Sequence, residues 1–318
     1  MSLIVQKFGG SSVADAGKLL RSSQIIKAAR DAGHDVVAVV SAQGDTTDRL
    51  LKQARELTDA PPPRELDALL AAGEQISAAL TAAALERLGV PAVSLNAFQL
   101  PIRSDGVHGD ARITEIGRGR VQRELARRRA VVVTGFQGVD DRGDLTTLGR
   151  GGSDYTAVAL AAAFSAEQCL IYTDVDGVYT ADPRVCPTAR KLDRVGYADM
   201  YALARAGAAV LHDKCVALAR EKGVKAEVRS AATDAPGTLL GDGGEERAVV
   251  GVTGCERGGR AAVTLVGASP PEEAAERALS DAGIGLLGAE AGERTLTLFV
   301  PRERLRRAVC VLHDALAG

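Results

Sequence analysis

The sequence of 318 residues contains no tryptophan, and phenylalanine and tyrosine together make up only 3% of it. A chain so poor in aromatic rings lacks the stacking surfaces on which proteins hold single-stranded nucleic acid. It also lacks an excess of charge of one sign, because 39 basic and 41 acidic side chains give a formal net charge of -2. Without a broad basic field, no binding to a polyanion is expected, and nucleic acid is excluded as a partner.

Long apolar runs and paired cysteines are missing as well. No segment approaches the ~18 uninterrupted apolar residues of a membrane span, and the apolar run at the N-terminus is too short for a signal peptide. The cysteines are irregularly spaced and form no CxxC pair for a metal or redox site. They are Cys169, Cys186, Cys215, Cys255 and Cys310. We expect a cytoplasmic protein with reduced thiols, no membrane contact and no metal-binding residues.

The remaining composition, 46% hydrophobic and 25% charged, is typical of a soluble globular protein. The chain is long enough for two domains, since single cores stop growing near ~250 to 300 residues. Turn-forming residues at Pro236 and Gly237, followed by the sequence GDGGEE, mark a boundary. We therefore predict one domain over residues 1–240 and a second over residues 247–318.

The segment from Thr147 to Ala157, TLGRGGSDYTA, runs directly into an apolar stretch. Its adjacent glycines allow backbone N–H groups to approach a ligand, and Ser153 or Asp154 can cap the helix that follows. Free N–H groups and the positive end of the helix dipole attract an anion, and Arg150 adds a planar fork suited to a carboxylate or phosphate. The segment predicts an anion-binding turn. An ordinary glycine-rich loop that caps a buried helix is the alternative.

A similar pattern of strand, glycine turn and helix opens the chain. The apolar run Leu3 to Val5 predicts a short buried strand that leads into Lys7 and the residues FGGSS. A lysine at such a turn can lie against phosphate oxygens, although the spacing fits neither a P-loop nor a dinucleotide motif. The next apolar run, Asp35 to Val40, leads into SAQGDTTD. Thr46, Thr47 or Asp48 in this turn can contact a ligand at the carboxyl end of the strand or only cap the following helix.

The predicted helix from Leu66 to Arg87 carries Gly73 and Glu74 in its middle. Glycine costs about 1 kcal/mol relative to alanine in a helix interior, so we expect a close approach of another element there. Farther along, Ala130 to Thr134 is a continuous β-branched run, which is typical of a central strand. The strand from Gln168 to Tyr172 leads into a turn with three aspartates. Such a turn can hold the ribose and base of a nucleotide or a cation, but the glutamate that ends an EF-hand loop is missing.

The C-terminal region predicts a small α+β unit with the order β, β, α, β, β, α. Its strands are expected at 248–253, 260–266, 284–287 and 295–300, and its helices at 271–282 and 303–316. A ferredoxin-like module has the order β, α, β, β, α, β. The extra first strand therefore either fills the position of the missing last strand or exchanges with a partner chain.

The segments KFGGSS, SAQGDTTD, AAGEQIS, GFQGV, TLGRGGSDYTA and YTDVDGVYTADPR, in this order and spacing, resemble the aspartate kinases of the amino acid kinase family. The resemblance covers residues 1–240. It implies a three-layer α/β/α sandwich around a mainly parallel sheet, with an ACT-like, ferredoxin-like domain behind it. It also implies transfer of a phosphoryl group from ATP, with Mg²⁺, to the side-chain carboxylate of L-aspartate. The product would be 4-phospho-L-aspartate, and the protein would form a homodimer through the ACT-like domain.

The resemblance also assigns roles to individual residues. Lys7, Gly9 and Gly10 are assigned to the transferring phosphoryl group. Asp154 is assigned to catalysis and also to the aspartate pocket. The aspartate pocket is completed by Ser41, Thr47, Glu74, Phe136, Arg150 and Ser153. The nucleotide site is formed by Thr173, Asp174, Tyr179, Asp182 and Arg184.

Two departures from the family pattern keep other functions open. Ala209 stands where the family usually has a lysine that contacts the ATP phosphates, and Lys214 is a candidate to replace it. The C-terminal region has room for one ACT module where most relatives carry two, which makes feedback inhibition by lysine or threonine doubtful. The alternatives are a kinase for another amino-acid carboxylate and a non-catalytic paralogue that binds a ligand or a partner kinase.

Overall fold

The computed structural model describes residues 2–244 and 246–317. Its strands are β1 (Leu3–Phe8), β2 (Asp35–Val40), β3 (Ala92–Leu95), β4 (Ile102–Ser104), β5 (Ile113–Ile116), β6 (Ala130–Thr134), β7 (Gln137–Val139), β8 (Leu145–Thr147), β9 (Gln168–Thr173), β10 (Arg194–Gly196), β11 (Ala226–Ser230), β12 (Thr238–Gly241), β13 (Gly251–Arg257), β14 (Arg260–Val266), β15 (Gly288–Ala291) and β16 (Thr295–Val300). Its α-helices are α1 (Ala16–Asp31), α2 (Thr46–Leu57), α3 (Pro63–Arg87), α4 (Gly119–Ala126), α5 (Gly152–Ala163), α6 (Tyr197–Arg205), α7 (Asp213–Lys222), α8 (Glu272–Asp281) and α9 (Leu305–Leu316).

The chain forms two compact units. The first contains the residues up to Asp176 together with Glu221–Pro236, and the second contains Gly177–Arg220 and the residues from Gly237 onward. These units do not coincide with the predicted domains, because the segment from 177 to 220 groups with the C-terminal region. The domain limits 1–240 and 247–318 stay a prediction.

A parallel sheet forms the centre of the first unit. Six of its strands follow the order β11, β9, β1, β2, β6, β3, and every neighbouring pair is parallel. Side chains alternate between the two faces. One face packs with α1 and α3 through residues such as Ile4, Phe8 and Ile26, and α5 contacts β1, β2 and β9. The predicted α/β fold with a mainly parallel sheet is confirmed.

Helix α3 is long and apolar enough to cross a membrane by length and composition alone. In the structure 56% of its most apolar window is buried, and it packs against α1, β3 and β6. Its buried face also carries Asp67 and Glu74. These contacts identify α3 as a core helix of the first unit.

The second unit contains a four-stranded antiparallel sheet in the order β13, β14, β16, β15. Helices α8 and α9 pack together, and the core includes Val263, Leu298 and Leu312. When β14, α8, β15, β16 and α9 are taken as the first five elements of a ferredoxin-like module, β13 lies beside β14 in the place of the sixth. The extra first strand therefore fills the missing position within the chain itself.

One predicted strand of this unit is wrong. The sequence favoured a strand at 284–287, whereas the strand begins at Gly288. Ile284 is buried, but Leu286 and Leu287 are exposed, so this apolar run does not form a buried strand. The short strand β15 is instead fixed by its backbone pairing with β16.

Candidate active site

The carboxyl ends of four neighbouring strands form one row in the first unit. The register pairs Phe8 of β1 with both Val40 of β2 and Tyr172 of β9, and it pairs Val40 with Thr134 of β6. The segments that follow these residues therefore begin side by side, at the edge where open α/β sheets bind ligands. The predicted site residues that this row brings together are Gly9, Gly10, Ser41, Phe136, Thr173 and Asp174.

Lys7 lies next to this edge, on the sheet face opposite Phe8. Its Nζ lies 2.6 Å from Oδ1 of Asp154 in the first turn of α5, and both residues are buried. The two atoms form an ion pair whose geometry is not that of a hydrogen bond, and Oδ1 has no hydrogen-bond partner among the residues that the structure describes. Removing two charges from water costs free energy that their attraction repays only in good geometry. A buried, imperfectly bonded pair at a sheet edge therefore indicates a functional site.

Glycines allow α5 to begin very close to the sheet. Gly151, which precedes the helix, has a φ of 70°, in the left-handed region that favours glycine. A Cβ atom at Gly135 would lie 2.6 Å from Oγ of Ser153, so only glycine lets the first turn of α5 pack against the end of β6. The predicted capping is wrong, because Ser153 and Asp154 lie inside the helix and Gly151 holds the N-cap position. No side chain of the described residues caps the N-terminus of α5, and the exposed Arg150 directly precedes the N-cap residue Gly151.

Glu74 approaches the same edge from α3. Its Oε1 accepts a hydrogen bond of 2.9 Å from the backbone N–H of Ala42, whereas its Oε2 is buried and has no partner within residues 2–244 and 246–317. Burial raises the pKa of Glu74 to about 7, against a smaller lowering by the Ala42 N–H. The close approach predicted at Gly73 is confirmed, since a Cβ there would lie 2.8 Å from Cβ of Ala42. The glycine thus brings a buried carboxylate to the end of β2.

Two further predicted substrate residues lie near these turns. Thr47 is in the first turn of α2, whose N-cap residue is Asp45, so the alternative in which Thr46, Thr47 or Asp48 caps this helix is wrong. Phe136 has a φ of 71°, which is uncommon for a residue with a side chain. Its N–H donates to Oγ1 of Thr156 at 3.2 Å, and its carbonyl accepts from the N–H of Leu148 at 2.9 Å. These bonds hold the left-handed backbone in place.

Sequence reasoning missed Asp67, which lies two helical turns before Glu74 on the same face of α3. Its Oδ1 accepts a hydrogen bond of 2.5 Å from Oγ1 of Thr147, and its Oδ2 accepts from the N–H of Gly109 at 3.0 Å. Oδ2 also lies 2.8 Å from Nδ1 of His108. Asp67 thus anchors the strand that leads into the turn before α5. The signal in the sequence was the spacing of seven residues between two acids in an apolar helix.

The predicted nucleotide residues are divided between the units. Thr173 and Asp174 belong to the first unit, where Oγ1 of Thr173 donates to Oδ1 of Asp174 at 3.0 Å. Tyr179, Asp182 and Arg184 belong to the second unit. There the guanidinium of Arg184 lies 3.0 Å from Oδ1 of Asp182, which lowers the pKa of that carboxyl. Both side chains of this ion pair are exposed.

The departure at Ala209 lies in the second unit, in the segment between α6 and α7, and the residue is exposed. Lys214, the candidate replacement, lies in the first turn of α7, and its backbone N–H donates to Oδ1 of Asp213 at 2.9 Å.

Comparison with known proteins identifies the family. The model of the amino acid kinase family matches residues 2–230. The chain belongs to the amino acid kinase family. Within this family it is 53% identical to an aspartokinase of Mycolicibacterium smegmatis over 241 residues. The matched region covers 76% of the chain and 57% of that relative. It is 45% identical to an aspartokinase of Corynebacterium glutamicum over 98% of the chain and 77% of the relative.

Among solved structures, the chain resembles E. coli aspartokinase III in complex with aspartate and ADP, with a TM-score of 0.86 over 99% of the chain and all of that structure. The sequence identity of 23% makes this a likeness of fold. The chain spans 57% of the length of the Mycolicibacterium aspartokinase.

Proposed function

We propose that this member of the amino acid kinase family transfers the γ-phosphoryl group of ATP to the side-chain carboxylate of L-aspartate and forms 4-phospho-L-aspartate. The observation that carries the proposal is the buried Lys7–Asp154 pair at the uncapped N-terminus of α5. The names of the aspartokinase relatives support it, as does the presence of aspartate and ADP in the E. coli structure of the same fold.

The reaction joins an oxygen of the aspartate carboxylate to the γ-phosphorus while the bond from that phosphorus to the bridging oxygen breaks and ADP leaves. A carboxylate is already ionised, so the step needs no general base. The difficulty is to bring an anion to a polyanion, and positioning with charge neutralisation overcomes it. Lys7 supplies a fixed positive charge at the end of β1. Gly9 and Gly10 supply backbone without a Cβ, and a Cβ at Gly10 would lie 2.6 Å from the carbonyl oxygen of Ala42.

The aspartate pocket follows from the charges at the sheet edge. Arg150, exposed before α5, binds the α-carboxylate through its planar fork. The unpartnered Oε2 of Glu74 accepts a hydrogen bond from the α-ammonium group, and Asp154 accepts another. This pair of acceptors distinguishes an amino acid from a simple dicarboxylate. The remaining wall of the pocket consists of Ser41, Thr47, Phe136 and Ser153.

In the first unit, the segment after β9 contacts the nucleotide through Thr173 and Asp174. In the second unit, Tyr179, Asp182 and Arg184 keep the nucleotide-binding role that the family resemblance assigns to them. Magnesium prefers oxygen ligands and usually retains waters beside the phosphates of its nucleotide. The exposed carboxylate of Asp174, at the row of strand ends, fits this preference and would hold the ion. When bound, Mg²⁺ neutralises charge on the phosphates.

We further propose a cytoplasmic homodimer that associates through the small antiparallel sheet of the second unit. The five cysteines are free thiols, which supports a reducing compartment. The mass of the protein in solution, measured by light scattering, tests the dimer.

The decisive experiment measures ATP-dependent formation of aspartyl hydroxamate by the purified chain, with a panel of other amino acids beside L-aspartate. We expect product with aspartate. Arg150→Ala should raise KM for aspartate by about 10- to 100-fold, because a charge-assisted hydrogen bond contributes about 1.5 to 3 kcal/mol. Arg142→Ala, at another exposed arginine of the first unit, is the control. Product with a different amino acid, and none with aspartate, would show that this other amino acid is the substrate. A folded protein that gives no hydroxamate would favour the non-catalytic paralogue suggested by Ala209.

A further inference from the structure

The second unit contains a polar cluster that the kinase reaction does not use. It consists of Cys186 and Thr188, which follow the segment with Asp182 and Arg184, and of His313 and Asp314 on α9. Cys186 and His313 are fully buried, whereas Thr188 and Asp314 are exposed. A thiol, an imidazole and a carboxylate from two parts of the chain thus meet at the edge of a hydrophobic core.

The separations of the three donor atoms are within a few tenths of an ångström of those around a single metal ion. Nδ1 of His313 lies 3.3 Å from Sγ of Cys186 and 3.1 Å from Oδ1 of Asp314. Sγ of Cys186 lies 3.9 Å from the same oxygen. With the bond lengths of zinc to sulfur, nitrogen and oxygen, tetrahedral ligand atoms lie about 3.3 to 3.6 Å apart. Shifts of a few tenths of an ångström would place all three at bonding distance from one ion.

The surroundings of His313 favour its role as a ligand. Nε2 of His313 lies 2.8 Å from Oγ1 of Thr180, and that oxygen also accepts the backbone N–H of Arg190 at 2.9 Å. When Nε2 donates to Thr180, the lone pair of the ring is on Nδ1, which faces Cys186 and Asp314. Such a hydrogen bond to the second ring nitrogen is the usual way in which proteins orient a metal-binding histidine.

An ion can reach the cluster from solvent. Asp314 lines an open groove between α8 and α9. The hydroxyl of the exposed Thr188 lies 2.5 Å from Oδ1 of Asp314 and within 3.3 Å of both other donor atoms. Rotation of this surface side chain opens the centre of the cluster, and a water completes the coordination.

We propose that Cys186, His313 and Asp314 form a binding site for a divalent transition-metal ion of the zinc class. A thiolate and an imidazole prefer such ions, whereas magnesium and calcium prefer a shell of oxygen atoms. On binding, the proton of the Cys186 thiol passes to solvent. The ion fastens α9 to the segment 179–188. If the proposed function holds, this is the segment that contacts the nucleotide through Tyr179, Asp182 and Arg184.

Cobalt(II) is the probe, because its bonds to thiolates give charge-transfer absorption and its visible bands report tetrahedral geometry. The full chain, reduced and freed of metal, should bind one equivalent with a thiolate band, and zinc should displace it. Cys186→Ser and Asp314→Asn should each weaken metal binding by more than about 10-fold. Changing a residue that only supports a metal ligand already costs at least about 10-fold in affinity, and these two residues are ligands themselves. Cys255→Ser and Asp281→Asn are the controls. Cys255 is a partly exposed thiol of the second unit, and Asp281 lines the same groove as Asp314.

Three results would overturn the proposal. The first is a folded, reduced chain that takes up no cobalt or zinc. The second is uptake that Cys186→Ser and Asp314→Asn leave unchanged, which would place the ion elsewhere. The third is an absence of metal uptake together with ready formation of a disulfide between Cys186 and the neighbouring Cys310, which would make the thiols a redox pair. None of these measurements depends on kinase activity, so failure of the proposed function would leave the metal site intact.

Discussion

The polar groups at the sheet edge of the first unit and those of the cluster in the second unit differ in how completely they are bonded. In the described part of the chain, Oε2 of Glu74 is buried without a partner, and Oδ1 of Asp154 contacts only the Lys7 charge. In the second unit, Cys186 and His313 each contact another polar atom of the cluster. A buried group without a partner costs free energy that a bound substrate can recover. A cluster whose members are already hydrogen-bonded to one another binds a ligand only when the new bonds are stronger than the hydrogen bonds they replace. Bonds to a metal ion meet this condition.

The largest expected effect on activity and stability follows from removing the ammonium group of Lys7 from the sheet edge of the first unit. Lys7→Ala should lower kcat by about 10² to 10³, the loss typical of one preorganised electrostatic contact. It should also lower the free energy of unfolding by about 3 to 5 kcal/mol, because Asp154 would remain buried without a counter-charge. The hydroxamate assay and urea denaturation measure the two effects.

A double variant separates these two consequences. Lys7→Met combined with Asp154→Asn should regain much of the lost stability, since no unpaired charge remains, while activity stays low. Lys18→Ala, at an exposed lysine of α1, should change neither quantity. Full kcat in Lys7→Ala would show that the pair is structural.

The second prediction concerns Glu74 and pH. Its pKa is about 7 in the folded protein and near the ordinary 4.5 after unfolding. Between these two pH values the folded state therefore binds one more proton than the unfolded state. The contribution of this proton to the free energy of unfolding is fully present below pH 4.5 and is lost as the pH rises through 7. The shift corresponds to about 3 kcal/mol. Glu74→Gln should flatten this part of the curve of unfolding free energy against pH.

The matched control for this measurement is Glu65→Gln, because Glu65 lies on the same helix and its side chain is exposed. Its curve should keep the slope of the unaltered chain. An unchanged slope in Glu74→Gln would mean that Glu74 is ionised in the folded protein. If the proposed function holds, Glu74→Gln should also raise KM for aspartate, since it removes the negative acceptor proposed for the ammonium group.

The strand ends that carry the candidate site of the first unit could be predicted because apolar runs followed by turn residues are easy to recognise. The runs Asp35–Val40 and Ala130–Thr134 are continuous and β-branched, and the structure confirms their limits. Helix caps were missed, because the choice between Gly151 and Ser153 depends on how closely α5 packs against Gly135, which local sequence does not contain. Asp67 was missed for the same reason, since its partners at Gly109 and Thr147 lie far away in sequence.

The metal cluster was also absent from the sequence prediction, which expected no metal-binding residues. Cys186 and His313 are 127 residues apart, and no short spacing connects them. Only the packing of α9 against the segment after Thr180 brings the donor atoms together. Local patterns indicate sites built on a single turn, whereas sites built between distant elements need the fold.

A moderate effect is expected at Asp67. Asp67→Asn replaces one acceptor oxygen by an amide and removes the charge that faces His108. We expect a loss of about 1 to 3 kcal/mol in the free energy of unfolding, the cost of leaving buried groups unsatisfied. Thermal denaturation measures it, and Asp59→Asn, at an exposed residue of the first unit, is the control. Unchanged stability would show that Asp67 does not anchor the turn.

The smallest effect on stability is expected at Asp182 and Arg184, which form an ion pair as Lys7 and Asp154 do, but on the surface. Exposed pairs contribute about 0.2 to 1 kcal/mol because water screens them, so Arg184→Ala should leave the unfolding transition nearly unchanged. The same variant should raise KM for ATP if the segment binds the nucleotide, while KM for aspartate stays constant. Arg194→Ala, at an exposed residue of β10, should change neither KM. If Arg184→Ala lowered the free energy of unfolding as much as Lys7→Ala does, burial would not be what determines how much such a charge contributes to stability.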